Sequence, residues 1–243
     1  MRTLYGGSLM RMFTRIIPLA ALVLGLPGEH LLAQQPGNGG GFQWYIGGQG
    51  GIMNFESPVE GRKTQPMGGA HLLITARRTG LLLSVDQNFG PTVQSGYSVQ
   101  VFDSLGNFVD QQEIPVSFKY IRRYSAMLLA FPIKGPVTPF FGIGVGIQHT
   151  GGHTPDDGFA RDLGSSGFGS LVGGLNFRVS RFSAFGQYQV TTGPSQQSSS
   201  VSFKDGSSMV AFGNLFTGPI HTLSAGLRFG LGNARERPQG GGY

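Results

Sequence analysis

The side chains that could support chemistry are few, and four of them lie close together near the middle of the chain. His149, His153, Asp156 and Asp157 fall within one short segment that also contains glycine. Imidazole and carboxylate groups can together bind a divalent metal ion. Their spacing matches no closed zinc site, however, and the chain contains no cysteine. The sequence therefore favours a polar loop at this position, and no metal ion or other cofactor is predicted.

Nucleophilic catalysis would require a serine beside a histidine base. The segments with strand-like alternation contain His71 and His221, together with Ser170, Ser183 and Ser224. No pair drawn from these residues forms a deacylase or acyltransferase motif. The glycine-rich segments also lack the following helix that a phosphate-binding loop needs. We therefore predict that the protein is not an enzyme.

The composition narrows the class of protein. Glycine accounts for 42 of the 243 residues, and charged residues make up only 12%. The glycines follow no three-residue period, which excludes collagen, and the absence of cysteine excludes a disulfide scaffold. No basic run alternates with stacking aromatic residues, so nucleic acid is not an expected partner. What remains is a β protein rich in glycine and aromatic residues and poor in charge.

The first 33 residues have the pattern of a secretory signal peptide. Arg2, Arg11 and Arg15 precede an apolar stretch over residues 16–26, and Ala33 follows. Eleven helical residues reach about 16 Å, too short for the bilayer core of roughly 30 Å. We predict cleavage after Ala33 and export from a bacterial cell, with residues 34–41 as a flexible lead-in.

Alternation of apolar with small or polar residues predicts β-strands. In residues 221–231 the odd positions are apolar except for the first, and the even positions are Thr, Ser, Gly and Arg. Residues 141–148 repeat the pattern, with Phe, Ile and Val alternating with Gly and Gln. This alternation places the two kinds of residue on opposite faces of a sheet. Strands are predicted over 42–55, 66–77, 80–90, 113–133, 138–149, 167–179, 182–192 and 219–231.

The connections between these eight strands alternate in length. Those after the second, fourth and sixth strands are tight, whereas those after the first, third, fifth and seventh are long and polar. Small and polar side chains suit the inside of a narrow barrel whose apolar face meets lipid. The sequence thus predicts an all-β protein, a transmembrane antiparallel up-and-down barrel of eight strands over residues 42–231.

One long connection contains a further hairpin signal. Residues 98–102 and 108–114 flank Asp103–Asn107, whose composition is typical of a turn. We predict that this hairpin protrudes outside the membrane as an extension of the third and fourth strands. The alternative makes its two arms barrel strands, which gives a barrel of ten strands.

The inward faces of the barrel are predicted to form a polar network. Folding the chain about the middle of the hairpin turn would pair Val85 with Ala126 and set Asp86 opposite Ser125. Pro91 would interrupt the ladder, which leaves a bulge and a shifted register as the alternative. Polar groups in the narrow interior need one another as partners because little water can enter. The predicted members are Asp86, Lys119, Arg123, Arg178, Gln187, Gln189 and Arg228.

The final strand resembles the assembly signal of bacterial outer-membrane barrels. Its polar, glycine and apolar positions are Ser224, Gly226, Phe229 and Leu231. With the aromatic residues next to glycine at 42–48, the pattern is similar to the small OmpA-like and OmpX-like eight-stranded family. The resemblance implies the outer membrane as location, with membrane lipids and the barrel-assembly machinery as partners. The family ends on its final strand, whereas here residues 232–243 follow, which we predict to be a periplasmic tail.

These expectations lead to a non-enzymatic role. We expect a structural or surface-interaction protein whose extracellular loops meet an outside partner. A narrow channel for ions or small solutes is one alternative, and a lipid-modifying outer-membrane enzyme is another. The sequence contains no motif that identifies the partner.

Overall fold

A computed structural model describes residues 42–133, 135–156, 158–194 and 197–234. The signal peptide, the lead-in and residues 235–243 of the predicted tail lie outside this range. The described residues form twelve strands: β1 (Phe42–Ser57), β2 (Gly61–Ala76), β3 (Thr79–Asn88), β4 (Val93–Phe102), β5 (Phe108–Phe118), β6 (Tyr120–Ala130), β7 (Val137–Gly151), β8 (Ser165–Val179), β9 (Phe182–Thr191), β10 (Gln197–Ser202), β11 (Ser208–Gly213) and β12 (Thr217–Ala234). One short helix, α1 (Gly158–Leu163), lies between β7 and β8. No helix in the described ranges is long and apolar enough to cross a bilayer.

Eight of the strands close into an antiparallel barrel. Their order around it is β1, β12, β9, β8, β7, β6, β3 and β2, and β2 pairs with β1 to complete the ring. The predicted barrel is therefore confirmed, with eight strands and not ten. Closure leaves no unpaired sheet edge facing lipid, where an unsatisfied backbone group would be costly.

The outer surface of the barrel is apolar. On β7 the outward residues Phe141, Ile143, Val145 and Ile147 are each between 56% and 67% exposed, while Gly142, Gly144 and Gly146 face inward. The same alternation runs along β12, as the sequence predicted. An apolar exterior around a polar interior is the arrangement of outer-membrane barrels.

The other four strands form a separate sheet, here called the outer sheet, in the order β10, β11, β4 and β5. The predicted hairpin is β4 and β5, and its turn spans Asp103–Asn107. The second hairpin, β10 and β11, was not predicted. It is inserted between the neighbouring barrel strands β9 and β12. The first hairpin is inserted between β3 and β6, which lie on the opposite side of the ring. Pairing of β4 with β11 therefore bridges the barrel mouth.

The register between β3 and β6 differs from the predicted one by two residues. Val85 lies opposite Tyr124, not Ala126, and Asp86 lies opposite Arg123, not Ser125. The predicted hairpin is present outside the ring, and the strands are interrupted over residues 89–92, around Pro91 as predicted, and again at Lys119. Pro91 cannot donate a backbone hydrogen bond, which explains why the chain leaves the barrel and restarts pairing in β4.

The connection after the first strand is shorter than predicted. β1 and β2 both continue beyond their predicted ends, and only three residues join Ser57 to Gly61. Gly61 has a φ of 69°, a left-handed conformation that glycine adopts without strain.

The tight turns at Arg77–Arg78 and Ser180–Arg181 define the short-turn end of the barrel, and the opposite end is called the long-loop end.

Candidate functional site

The middle of the barrel interior is polar. Asp86 and Arg123 are 2% and 1% exposed, and their closest charged atoms are 3.9 Å apart. The Gln49 amide donates a hydrogen bond to Asp86, and the Ser84 and Ser125 hydroxyls lie 2.7 Å apart. Asp86 accepts hydrogen bonds from Gln49 and Ser84, whereas the guanidinium nitrogens of Arg123 make no hydrogen bond within the described residues. In this water-poor space the ion pair with Asp86 is therefore the main partner of the Arg123 charge.

A second polar group surrounds Arg228, which is 1% exposed. Its Nε–H donates to Nε2 of His71 at 3.0 Å, and its Nη1 lies 3.3 Å from Oδ1 of Asn176. The guanidinium carbon is 3.8 Å from the centroid of the Phe185 ring, within the range of a cation–π contact. Ser183 donates a further hydrogen bond to Asn176. Arg228 is therefore held by neutral groups and an aromatic ring, and no carboxylate in the described part of the chain forms an ion pair with it.

An apolar cluster occupies the interior at the short-turn end. Its buried side chains, here called the inner plug, are Tyr45, Leu73, Leu82, Met127, Leu129, Phe131, Phe140 and Val172. Each buried side chain of this size contributes roughly 2 kcal/mol from removal of apolar surface from water. This cluster was not predicted from the sequence, because the inward positions were assigned to small and polar residues along the whole of each strand. Every second residue of a strand faces inward, and continuing that pattern to the short-turn end of each strand would have identified these apolar side chains.

A larger apolar cluster, here called the outer plug, closes the long-loop end. It combines inward barrel residues with residues of the outer sheet, of α1 and of the segment before β12. Its buried members are Met53, Phe55, Met67, Val93, Tyr97, Val99, Val116, Phe118, Ile121, Ala160, Leu163, Ala211, Leu215, Phe216 and Ile220. The outer sheet thus packs over the barrel mouth, and the polar middle lies between two apolar layers.

The predicted members of the interior network do not all lie where the sequence placed them. Gln187 and Gln189 are buried, and their amides donate to Gln49 and to Ser170. Arg178 is half-buried near the short-turn end, with its guanidinium carbon 5.6 Å from the Tyr45 ring centroid. Lys119 is a correction: it is exposed, because it lies in the break between β5 and β6 and not on an inward barrel position.

The residues of the predicted assembly signal all lie on β12. Ser224 and Gly226 face inward, whereas Phe229 and Leu231 are exposed on the lipid-facing side. The Phe229 ring packs 5.3 Å from that of Phe182 on β9. Recognition of this strand during assembly stays a prediction.

The histidines and carboxylates of the polar loop point in different directions. His149 faces outward against the Tyr124 ring, and buried His153 lies 2.8 Å from the Thr150 hydroxyl. Asp156 is exposed and forms a bidentate ion pair with Arg161. Asp157 lies outside the described residues. Across the part of the chain that is described, no group of three or more potential metal ligands occurs.

The side chains of the histidines considered for catalysis contact residues other than serine. His71 accepts a hydrogen bond from Arg228 in the barrel interior. His221 lies on the lipid-facing side, where its Nδ1 is 2.6 Å from the Tyr188 hydroxyl. Ser170 is hydrogen-bonded to Gln189, and Ser183 is hydrogen-bonded to Asn176. Ser224 is buried on the inward face of β12.

Three carboxylates outside the barrel have a lowered pKa. Hydrogen bonds from the Asn107 side chain and backbone lower the pKa of Asp103 in the β4–β5 turn. Hydrogen bonds from Ser207 lower the pKa of Asp205 in the β10–β11 turn, and hydrogen bonds from Arg161 lower that of Asp156. A carboxylate that accepts several hydrogen bonds is stabilised in its charged form. Both turns of the outer sheet are therefore organised around an ionised aspartate.

Comparisons with known proteins identify no family for this chain. No protein-family model matches the chain, and no curated protein matches it. Among solved structures, it is similar to Neisserial surface protein A (NspA), with 12% identity over 76% of this chain and 96% of that chain, and a TM-score of 0.48. It also matches OccK9 (OpdG) and OccK11 (OpdR) of Pseudomonas aeruginosa, each at 8% identity. These matches cover 78% and 79% of this chain and 98% and 96% of theirs, with TM-scores of 0.16 and 0.14.

Because every one of these TM-scores is below 0.5, the fold assignment rests on the strand pairing of this chain. That pairing closes eight antiparallel strands into one ring. The ring has an apolar exterior and a polar middle. The chain has the fold of an outer-membrane β-barrel.

Proposed function

We propose that the protein is a sealed outer-membrane barrel that anchors the outer sheet on the cell surface, where the sheet meets a partner. The observation that supports this role is the layering of the interior, with the polar middle between the inner plug and the outer plug. A pore needs a continuous hydrated path, and each plug interrupts that path with buried apolar side chains. In this role the barrel serves as a membrane anchor and the outer sheet binds a partner, and neither task requires a catalytic group.

The orientation follows from the lengths of the connections. Outer-membrane barrels have short turns on the periplasmic side and longer loops outside. The tight turns at Arg77–Arg78 and Ser180–Arg181 would then face the periplasm, and the outer sheet would face the surroundings. Export by a cleaved signal peptide belongs to the same proposal.

The chemistry of the outer sheet indicates the kind of partner. Its charged residues are the acids Asp103, Asp110, Glu113 and Asp205, and the single base Lys204. Near the tips of its two hairpins, Leu105 is 84% exposed, Phe108 57% and Phe203 47%. An acidic surface with exposed apolar tips fits a basic partner that also presents apolar side chains.

A conductance measurement tests the sealed interior. The full chain, refolded and inserted into a planar bilayer, should give no ion current above the bare bilayer, whereas a general porin in the same bilayer provides the positive control. Steady single-channel currents would contradict the sealed barrel and would support a narrow channel for small solutes.

Cysteine labelling tests the orientation, and the cysteine-free chain gives no background. Leu105→Cys should react with a membrane-impermeant maleimide on intact cells. Arg181→Cys, at the short-turn end, should react only after the outer membrane is permeabilised. The reverse pattern would overturn the proposed orientation, and labelling of neither variant in permeabilised cells would contradict the exposure of both sites.

A further inference from the structure

A groove of about 720 Å³ runs along the lipid-facing surface of β1, β2, β3, β6 and β7. Strand pairing sets its outward residues in rows across the sheet. One row includes Leu83, Ala126 and Val145, and the next includes Val85 and Tyr124. The small side chain of Ala126 forms part of the floor, and larger apolar side chains stand on both sides. The groove is therefore a shallow apolar depression that is open to the hydrocarbon of the membrane.

The next row toward the long-loop end is polar. It contains Gln87, Arg122 and His149, which lie opposite one another on β3, β6 and β7. The Arg122 Nε–H and Nη2–H groups both donate to Oε1 of Gln87, at 2.8 and 2.7 Å. The guanidinium carbon lies 5.2 Å from the centroid of the Tyr120 ring. These contacts fix the orientation of the guanidinium on the outside of the barrel.

Arg122 is held by a neutral side chain at this position. Its hydrogen-bond acceptor is a neutral amide, and no carboxylate of the described ranges forms an ion pair with it. The guanidinium binds phosphate in a directional, often bidentate way. His149, which packs against the Tyr124 ring, supplies a second nitrogen in the same row. One end of the apolar groove thus has the chemistry of an anion site.

We propose that this surface binds one phosphate-bearing lipid of the leaflet at the long-loop end, which is the outer leaflet in the orientation proposed above. Its phosphate lies against Arg122 and His149, and one acyl chain lies in the groove past Tyr124 and over Ala126. A lipid has a charged headgroup at one end and an apolar chain at the other. The site has the same arrangement, since the cation lies at the end of the groove nearest the long-loop end and the rest of the groove is apolar. A second barrel in the groove would leave the Arg122 charge without a counter-ion, whereas a lipid phosphate neutralises it.

Native mass spectrometry of the refolded barrel, with phosphatidic acid as the probe, tests this proposal. Wild type should retain phosphatidic acid in preference to diacylglycerol with the same acyl chains. Arg122→Gln should weaken retention of phosphatidic acid about tenfold, as expected for loss of one charge-assisted contact. Ala126→Phe, which fills the floor of the groove, should weaken retention of both lipids.

Two variants serve as matched controls. Arg62→Gln removes an exposed charge near the same end of the barrel, and Leu171→Phe adds a ring to a lipid-facing position on β8 outside the groove. Both should retain phosphatidic acid as wild type does, and inorganic phosphate should not displace the lipid. Equal retention by wild type, Arg122→Gln and Ala126→Phe, all shown to be folded by heat-dependent mobility in SDS, would overturn the proposal. Displacement by inorganic phosphate would do the same, since it would reveal a site for free anions.

Discussion

Inside the barrel, Arg228 donates its Nε–H to Nε2 of His71 over 3.0 Å, so the ring nitrogen that accepts this bond is unprotonated. The two residues lie on β12 and β2, strands that flank β1 in the ring. The contact therefore spans the point where the first and last strands of the chain close the barrel. It also explains how a buried arginine without a carboxylate is accommodated, since an imidazole nitrogen, an amide oxygen and the Phe185 ring surround it.

Replacing Arg228 by alanine or by methionine should give different results. Arg228→Ala leaves a cavity beside Phe185 and removes the donor to His71, so the free energy of unfolding should fall by about 3 kcal/mol. Arg228→Met keeps most of the volume and removes a buried charge, so the change should stay within about 1 kcal/mol. Urea unfolding in lipid vesicles, followed by the fluorescence of the single tryptophan, Trp44, measures both. Equal losses for the two variants would show that the charge itself stabilises the barrel.

The Asp86–Arg123 pair should behave as a coupled unit. Asp86→Asn leaves the buried Arg123 without its counter-ion, and we expect a loss of about 3–5 kcal/mol. Adding Arg123→Met should restore most of that stability, since no buried charge then remains. A double-mutant cycle by urea unfolding gives the coupling energy. Simple additivity of the two single variants would refute this coupling.

Inward glycines on β7 should resist substitution because neighbouring groups fill the space around them. A Cβ on Gly144 would lie 2.4 Å from the Ala126 carbonyl oxygen and 2.4 Å from Cγ of Met127. Gly144→Val should therefore prevent formation of the folded species that migrates differently in unheated SDS. Gly186→Val, at a lipid-facing position of β9, is the control, because a Cβ there meets nothing within 4 Å. A normally folded Gly144→Val barrel would contradict this packing.

The role of the final strand in assembly can be separated from the cost of a charge in lipid. Phe229 and Phe182 are paired across β12 and β9, and both face lipid at the same level. Aspartate at either position should carry a similar penalty in the bilayer. If the assembly machinery reads the final strand, Phe229→Asp should reduce the amount of barrel in the outer membrane more than Phe182→Asp does. Quantitative immunoblots of outer-membrane fractions measure this, and equal amounts would remove the support for a signal at Phe229.

The turn of the β4–β5 hairpin should weaken in acid. Asp103 accepts hydrogen bonds from the Asn107 side chain and from the backbone of Asn107 and Leu105, which lower its pKa below the usual 3.8. A lowered pKa means that the carboxylate stabilises the turn fully above about pH 3.8 and loses that effect as the pH falls through the lower folded value. Amide exchange at Leu105 should accelerate over this range, after correction for intrinsic exchange. Asp103→Asn should show no such transition, and a transition retained in that variant would exclude Asp103 as its source.

The barrel could be predicted from the sequence because its outward positions repeat every two residues. The register of β3 with β6 could not, since it depends on where the chain breaks around Pro91 and Lys119, and no local pattern marks the length of those breaks. β10 was missed because serine fills both of its faces, so the segment shows no alternation. The two plugs were missed for a different reason: apolar residues occupy both faces near each end of the barrel, and the inward positions there were assigned to polar residues.

The bridge across the barrel mouth has a consequence for the order of folding. Val101 and Met209 pair in the outer sheet although they are more than a hundred positions apart in the chain, and their hairpins leave the ring on opposite sides. Contacts between such distant segments form slowly unless something brings them together, and only the completed ring does so here. The outer sheet therefore forms late in folding. A partner that binds the outer sheet would then recognise only molecules whose barrel has already closed.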